Sequence, residues 1–62
     1  MNFLDYLRSN DLQEEEDNDG NIIFYIDDEE VAQFVLINYN FDCDVVKNYD
    51  EESWTVYTNI TK

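Results

Sequence analysis

Repulsion between acidic side chains restricts how this sequence can fold. Sixteen Asp and Glu residues stand against three Lys and Arg residues, which gives the 62-residue chain a formal net charge of -13 at pH 7. A folded chain of this size exposes roughly 4,200 Å², so one net negative charge falls in every ~330 Å². This density destabilises a compact state, disfavours binding to nucleic acid or anionic membranes, and favours a cationic partner.

Apolar and aromatic residues are nevertheless plentiful enough to form a core. The chain contains four Phe, five Tyr and one Trp besides its Val, Ile and Leu residues, which argues against disorder. A chain this short buries only about 60% of the surface that it exposes when unfolded. We therefore expect one small acidic domain over residues 1–62, without a deep catalytic cleft.

The single cysteine indicates a reducing compartment. Cys43 cannot form an internal disulfide, and the sequence has no His to pair with it. The segment MNFLDYLRSND lacks the pattern of a signal peptide, and no stretch reaches the roughly eighteen apolar residues of a membrane span. We expect a soluble cytoplasmic protein, in the host cytoplasm if the source is viral.

The first third of the chain predicts a short helix and then a loop. Residues 2–9 read as a helix, with Asn2 as N-cap and with Phe3, Leu4 and Leu7 on one face. Residues 10–21 are rich in acids and end near the only glycine, which is typical of a flexible acidic loop.

A strand and an ambiguous segment follow. Residues 21–26 predict a strand that is apolar on both faces, as in a central or covered position. Residues 27–41 fit a helix with Asp27 as N-cap and Glu30 completing a capping box, and with Val31, Phe34, Val35 and Asn38 along one side. They also fit a strand, because many of them are strand-prone. The start signal favours the helix.

The last third predicts a β-hairpin, with strands at 45–49 and 54–60 around the turn at 50–53. Trp54, Val56, Thr58 and Ile60 are expected to face the core. The resulting fold class is α+β, a small antiparallel sheet of about three strands packed by one or two helices. The alternative is a four-stranded antiparallel meander with a short N-terminal helix.

The residue types needed for catalysis or metal binding are missing or badly spaced. Residues 15–20 resemble the start of a calcium-binding loop, but Ile26 stands where that loop needs a bidentate Glu. The chain has no His, no Gly-rich phosphate loop and no nucleophile beside a base. We expect no catalytic residue, no cofactor and no metal.

The acidic residues are grouped along the sequence. The net charge of -13 that they produce exceeds the magnitude of roughly 2 to 8 that suffices for solubility. Acidic turns and strand edges together can imitate the phosphate ladder of a nucleic acid and occupy a basic groove. If the 27–30 and 50–52 turns share one face, they would form a continuous strip with Asp42 and Asp44. The predicted partner-binding residues are Asp27, Asp28, Glu29, Glu30, Asp42, Asp44, Asp50, Glu51, Glu52 and Tyr57. Glu14, Glu15, Glu16, Asp17 and Asp19 are predicted to steer association over longer range.

In length, charge and aromatic content over the whole chain, the sequence resembles the small acidic proteins with which phages block host defence or DNA repair. These are anti-restriction proteins, anti-CRISPR proteins and uracil-DNA glycosylase inhibitors. The resemblance implies a DNA mimic that inhibits a host enzyme stoichiometrically, and because it involves no motif it assigns no residues. The expected partner is a basic, nucleic-acid-binding protein, with no direct contact to nucleic acid or membrane, and the chain is a monomer or homodimer. The alternative is an acidic adaptor that binds a basic protein without mimicry.

Overall fold

A four-stranded antiparallel sheet and two helices make up the protein in the computed structural model, which describes residues 2–49 and 51–61. The elements are α1 (Phe3–Ser9), β1 (Gln13–Glu16), β2 (Asn21–Ile26), α2 (Glu29–Asn38), β3 (Asp44–Asn48) and β4 (Ser53–Thr61). The strand order is β1-β2-β4-β3. This confirms the α+β class, and the number of strands is that of the alternative prediction.

Strand β1, which was not predicted, corrects the prediction of a loop over residues 10–21. Gln13 to Glu16 pair antiparallel with β2, with Glu14 opposite Phe24. The turn that joins the two strands is fixed by Asp17, whose Oδ1 accepts hydrogen bonds from the backbone N–H groups of Asp19 and Asn21, both at 2.9 Å. Gly20 completes the turn at φ 84°, a conformation that glycine adopts without steric cost.

Helix α1 confirms the prediction for residues 2–9. The Oδ1 of Asn2 accepts from the Asp5 N–H at 2.9 Å, as expected of an N-cap. The helix ends where Asp11 takes a left-handed conformation at φ 57°, which Asp tolerates better than most residues. Leu7 is its fully buried side chain.

The ambiguous segment is helical over Glu29–Asn38, but its predicted start was displaced by one residue. The N-cap is Asp28, whose Oδ1 accepts from the Glu30 N–H at 2.9 Å, so Asp27 is not the cap and Glu30 forms no capping box with it. The predicted face was also partly wrong. Ala32 and Val35 are the buried side chains of α2, whereas Phe34 remains 41% exposed.

The C-terminal hairpin is present as predicted, but β3 begins and ends one residue earlier than predicted, and β4 is one residue longer at each end. Trp54, Val56 and Thr58 are buried and Ile60 is half-buried. The register between β2 and β4 shifts between Asn21 and Ile23. At this irregularity the hydroxyl of Thr58 donates a hydrogen bond to the Ile22 carbonyl at 2.7 Å. A side-chain donor thus satisfies a backbone carbonyl where the regular pairing of the strands is interrupted.

Both helices pack on the same face of the sheet. The core joins Leu7 of α1 and Ala32 and Val35 of α2 to Phe24 and Val56 of the central strands. Phe24, Val56 and Val45 lie opposite one another in the register, and so do Ile26, Trp54 and Lys47. This face is called the helix face below, and the other is called the open face.

Candidate protein-interaction surface

The open face is defined by the register, because residues paired directly across strands project to the same side of a sheet. Two rows of residues cross it. One row runs Glu15, Ile23, Tyr57, Asp44, and the other runs Gln13, Tyr25, Thr55, Val46. Neighbouring strands lie about 4.8 Å apart, so Glu15 and Asp44 stand roughly 14 Å apart with an aromatic centre between them.

The centre of the open face is partly accessible. Tyr57 is 40% exposed and Val46 is 48% exposed, while Ile23 and Thr55 are buried among their neighbours. Tyr25 is half-buried beside Glu15. Its burial and the neighbouring Glu15 carboxylate raise the pKa of the Tyr25 hydroxyl, so this phenol stays neutral at physiological pH.

The two cations among residues 2–49 and 51–61 both belong to the helix face. Arg8 donates from Nε to Glu14 Oε1 at 3.2 Å and from Nη2 to Oε2 at 3.3 Å, and Glu14 lies in register with Phe24 of the core. The Nζ of Lys47 lies 4.3 Å from the centre of the Trp54 ring, a cation–π contact. Neither residue offsets the acidic groups of the open face.

A shallow acidic depression of about 760 Å³ lies at one end of the sheet. There the α1–β1 connection, the β2–α2 connection and the β3–β4 turn meet. The depression has five carboxylates in its lining, those of Asp11, Glu15, Asp27, Asp28 and Glu51. Tyr25 also lines it and borders a second, smaller depression on the open face together with Tyr49 and Glu51. The acidic depression and the open face therefore form one continuous surface.

Most of the predicted partner-binding residues lie at this end of the molecule. Asp27 and Asp28 line the depression, Glu29 and Glu30 form the exposed first turn of α2, and Glu51 and Glu52 belong to the β3–β4 turn. Asp50 lies outside the described residues. The described parts of the two acidic turns thus share one end of the sheet, whereas the strip hypothesis placed them on one face.

The predicted continuation of that strip does not hold for Asp44. Asp44 begins β3 whereas the β3–β4 turn follows its last residue, Asn48. The two ends of β3 are four residues apart in sequence, which corresponds to roughly 13 Å along the strand. Asp44 instead lies beside Tyr57 in the register and accepts a hydrogen bond from Asn59 Nδ2 at 3.4 Å.

The residues predicted to steer association from a loose loop have more specific positions. Glu14, Glu15 and Glu16 belong to β1, where only Glu15 projects from the open face. Asp17 and Asp19 lie in the β1–β2 turn, at the opposite end of the sheet from the acidic depression. Sequence reasoning therefore missed Glu15 as a member of the surface, and it missed Asp11 altogether.

The tyrosines divide into core and surface groups. Tyr39 packs against Phe3 and Tyr6 at ring-centre distances of 6.0 and 5.9 Å, so it belongs to the contact between the two helices. Tyr57 and Tyr25 belong to the open face, and Tyr49 is 95% exposed beside it. Tyr25 alternates with the core residues of β2, and Tyr57 alternates with those of β4, but only the register brings these two residues onto one surface.

The surface contains acceptors and aromatic rings rather than reactive groups. Cys43 is buried, and burial followed by repulsion from Asp42 and Asp44 raises the pKa of its thiol to about 11. Within residues 2–49 and 51–61, no three Cys, Asp or Glu side chains converge in a way that could hold a metal ion. Neither helix of these ranges has the length and hydropathy that a membrane span requires.

Comparisons with known protein families, with curated proteins and with solved structures find no match to this chain.

Proposed function

We propose that this protein is a non-enzymatic inhibitor that occupies the basic, nucleic-acid-binding surface of a host protein through its open face and acidic depression. The observation that carries the proposal is the segregation of charge. Arg8 and Lys47 are held on the helix face, while the acidic depression and the open face carry carboxylates without a Lys or Arg partner among the described residues.

Charge segregation gives this surface its preference for a cationic partner. Carboxylates at both margins of a sheet face attract a basic surface over a distance of about one Debye length, ~8 Å at physiological salt. Tyr57 and Tyr25 between them supply rigid apolar area with a hydroxyl at its end, which suits the centre of an interface. Long-range attraction and a local aromatic contact thus occur on one surface.

The spacing of these charges supports mimicry of nucleic acid. Glu15 and Asp44 are fixed about 14 Å apart by three strand-to-strand steps, and Asp27 and Glu51 add charge at one end. A protein groove that binds a duplex neutralises phosphates with several Lys and Arg residues. A rigid set of carboxylates on this scale can pair with several of those cations at once, so it would compete with nucleic acid for the groove.

The proposal places the protein in the cytoplasm of a host cell, where the free thiol of Cys43 would remain reduced. It assigns no reaction to the chain, because the surface offers carboxylates in contact with solvent and tyrosine side chains rather than a sheltered acid–base pair. An adaptor that binds a basic protein beside its nucleic acid is the competing function.

A capture experiment with matched charge variants tests the proposal. The Glu15→Gln, Asp27→Asn, Glu51→Gln triple variant removes three negative charges from the surface, and the Asp5→Asn, Glu16→Gln, Asp19→Asn triple variant removes the same charge elsewhere. Host lysate is passed over each immobilised protein, and bound protein is eluted with a salt gradient. At ~0.5 kcal/mol per exposed pair, the surface variant should bind the captured protein roughly tenfold more weakly than the control variant.

The competition arm separates the two functions. Duplex DNA or RNA should displace the captured target from the wild-type protein if both occupy one groove, whereas a ternary complex would support the adaptor. Equal losses in both triple variants would mean that only net charge matters. Binding that does not weaken with salt would contradict the electrostatic basis of the proposal.

A further inference from the structure

The helix layer carries an apolar surface that the proposed function does not use. Ile37 is 75% exposed and Phe41, in the turn after α2, is 98% exposed. Phe34 lies one helical turn before Ile37 and is 41% exposed. Phe34 and Ile37 lie three residues apart on α2, and Phe41 comes three residues after the helix ends at Asn38. We call Phe34, Ile37 and Phe41 the apolar stripe.

The apolar stripe rests on a firm base. Phe34 stacks on Tyr6 of α1 with ring centres 4.5 Å apart and an angle of 21° between the rings, and Tyr39 packs against Phe34 at 6.1 Å. Exposed apolar side chains grouped in one segment, one of them on a rigid support, are typical of an interaction surface. Scattered single residues would need no explanation.

The charge pattern distinguishes this surface from the rest of the chain. Residues 31–41 form the longest stretch of the sequence without Asp, Glu, Lys or Arg. A basic partner would find no carboxylate in this segment to pair with. Two copies of a chain with a net charge of -13 could instead meet here without burying charged groups, because repulsion between them is weakest where acids are absent.

We propose that the apolar stripe is the contact between two copies of this chain. A two-fold dimer presents the same patch on both copies, and a neutral apolar stripe is self-complementary when two α2 helices pack antiparallel. Because the stripe lies on the helix layer, both open faces would stay uncovered. This inference does not depend on the proposed function.

The size of the stripe sets the strength of the dimer. Large apolar side chains bury about 150–250 Å² each, so the exposed parts of these three give roughly 400 Å² per copy. This lies well below the ~800 Å² per partner of a stable interface. A weak, transient dimer follows, because an interface of this size lies at the low end of specific contacts. Glu30 and Asp42 flank the stripe, so salt should strengthen this association.

Sedimentation equilibrium over a salt series tests the dimer. The Ile37→Gln, Phe41→Gln double variant removes apolar area without changing the charge and leaves Phe34 in its stack. The Val46→Gln, Tyr49→Gln double variant removes exposed apolar residues from the open face as the matched control. We expect the wild-type dimer to tighten between about 0.05 and 0.5 M salt, the opposite of target binding. The stripe variant should dimerise at least tenfold more weakly, and the control should match the wild type.

A monomer at about 1 mM protein in high salt would overturn the proposal. Equal weakening by both double variants would overturn it too, because the contact would then not be specific to the stripe. A chain that stays monomeric while a host protein binds the wild type but not the stripe variant would mean that the stripe has a different occupant.

Discussion

The two adjacent aspartates before α2 offer a controlled measurement of one hydrogen bond. Asp28 caps the helix through its contact with the Glu30 N–H at 2.9 Å, whereas Asp27 precedes the cap. The substitutions Asp28→Ala and Asp27→Ala remove the same charge from neighbouring positions of the same turn. Their difference in free energy of unfolding therefore isolates the capping contribution.

The expected magnitude comes from the geometry of the cap. Loss of an Asp N-cap costs about 1 kcal/mol, within a range of about 0.5–2 kcal/mol. Relief of repulsion in so acidic a chain offsets a few tenths of a kcal/mol in both variants, on the scale of exposed charge pairs. Asp28→Ala should therefore lower the free energy of unfolding by roughly 1 kcal/mol relative to Asp27→Ala. For a domain this small, that corresponds to about 4–8 °C in Tm.

Urea and thermal unfolding followed by circular dichroism measure this difference, and Asp28→Asn is the control. Asn retains a capping oxygen without the charge, so Asp28→Asn should stay within a few tenths of a kcal/mol of Asp27→Ala. A loss in Asp28→Asn as large as in Asp28→Ala would mean that the charge at the helix end matters more than the hydrogen bond. Equal destabilisation by Asp27→Ala would refute the assignment of the cap.

Two further predictions concern the free protein. Because a net charge of -13 opposes compaction, added salt should raise the Tm of the monomeric stripe variant Ile37→Gln, Phe41→Gln, and melts that do not change across a salt series would contradict this. Because burial first, and Asp42 and Asp44 second, raise the pKa of the Cys43 thiol from 9.0 to about 11, the folded protein holds this proton more tightly than the unfolded chain. This contribution to stability is fully present below the ordinary thiol pKa and is lost as the pH rises toward about 11. We therefore expect the free energy of unfolding in urea to fall less between about pH 8 and pH 10.5 in Cys43→Ala than in the wild type.

The elements with strong local patterns could be predicted from the sequence. Trp54, Val56 and Thr58 alternate with residues of the other face, and all three are buried as this alternation requires. Helix α1 has a side-chain N-cap and an apolar face within a few residues. In both cases the same residues that set the local conformation also form the core, so the local and tertiary preferences agree.

Strand β1 could not be predicted from residue preference, because Glu is depleted in strands. Gln13 to Glu16 are strand only because β2 offers them a free edge, and the Asp17–Gly20 turn brings them to it. Turn residues directly before a strongly apolar strand are a hairpin signal, and this signal could have identified β1.

The surface could not be assembled from the sequence, because it depends on the order of the strands. No local pattern indicates that β4 lies between β2 and β3. That order alone sets Tyr57 between Ile23 and Asp44, whereas the length of β3 separates Asp44 from the β3–β4 turn. Acids grouped in sequence were therefore assigned to one strip although the fold divides them between two ends.

Several acidic residues have structural roles within the fold. Asp17 orders a turn, Asp28 caps a helix, and Glu14 holds Arg8. Glu16 lies on an edge strand, where charge prevents pairing with another chain's strand. These structural roles explain the presence of these four acidic residues without a binding partner. They do not account for the concentration of Asp11, Glu15, Asp27 and Glu51 around one depression, where these like charges repel one another and no cation of the described chain lies in the lining. A cationic partner would relieve that repulsion on binding, and this is the physical reason to look for the function at that end of the sheet.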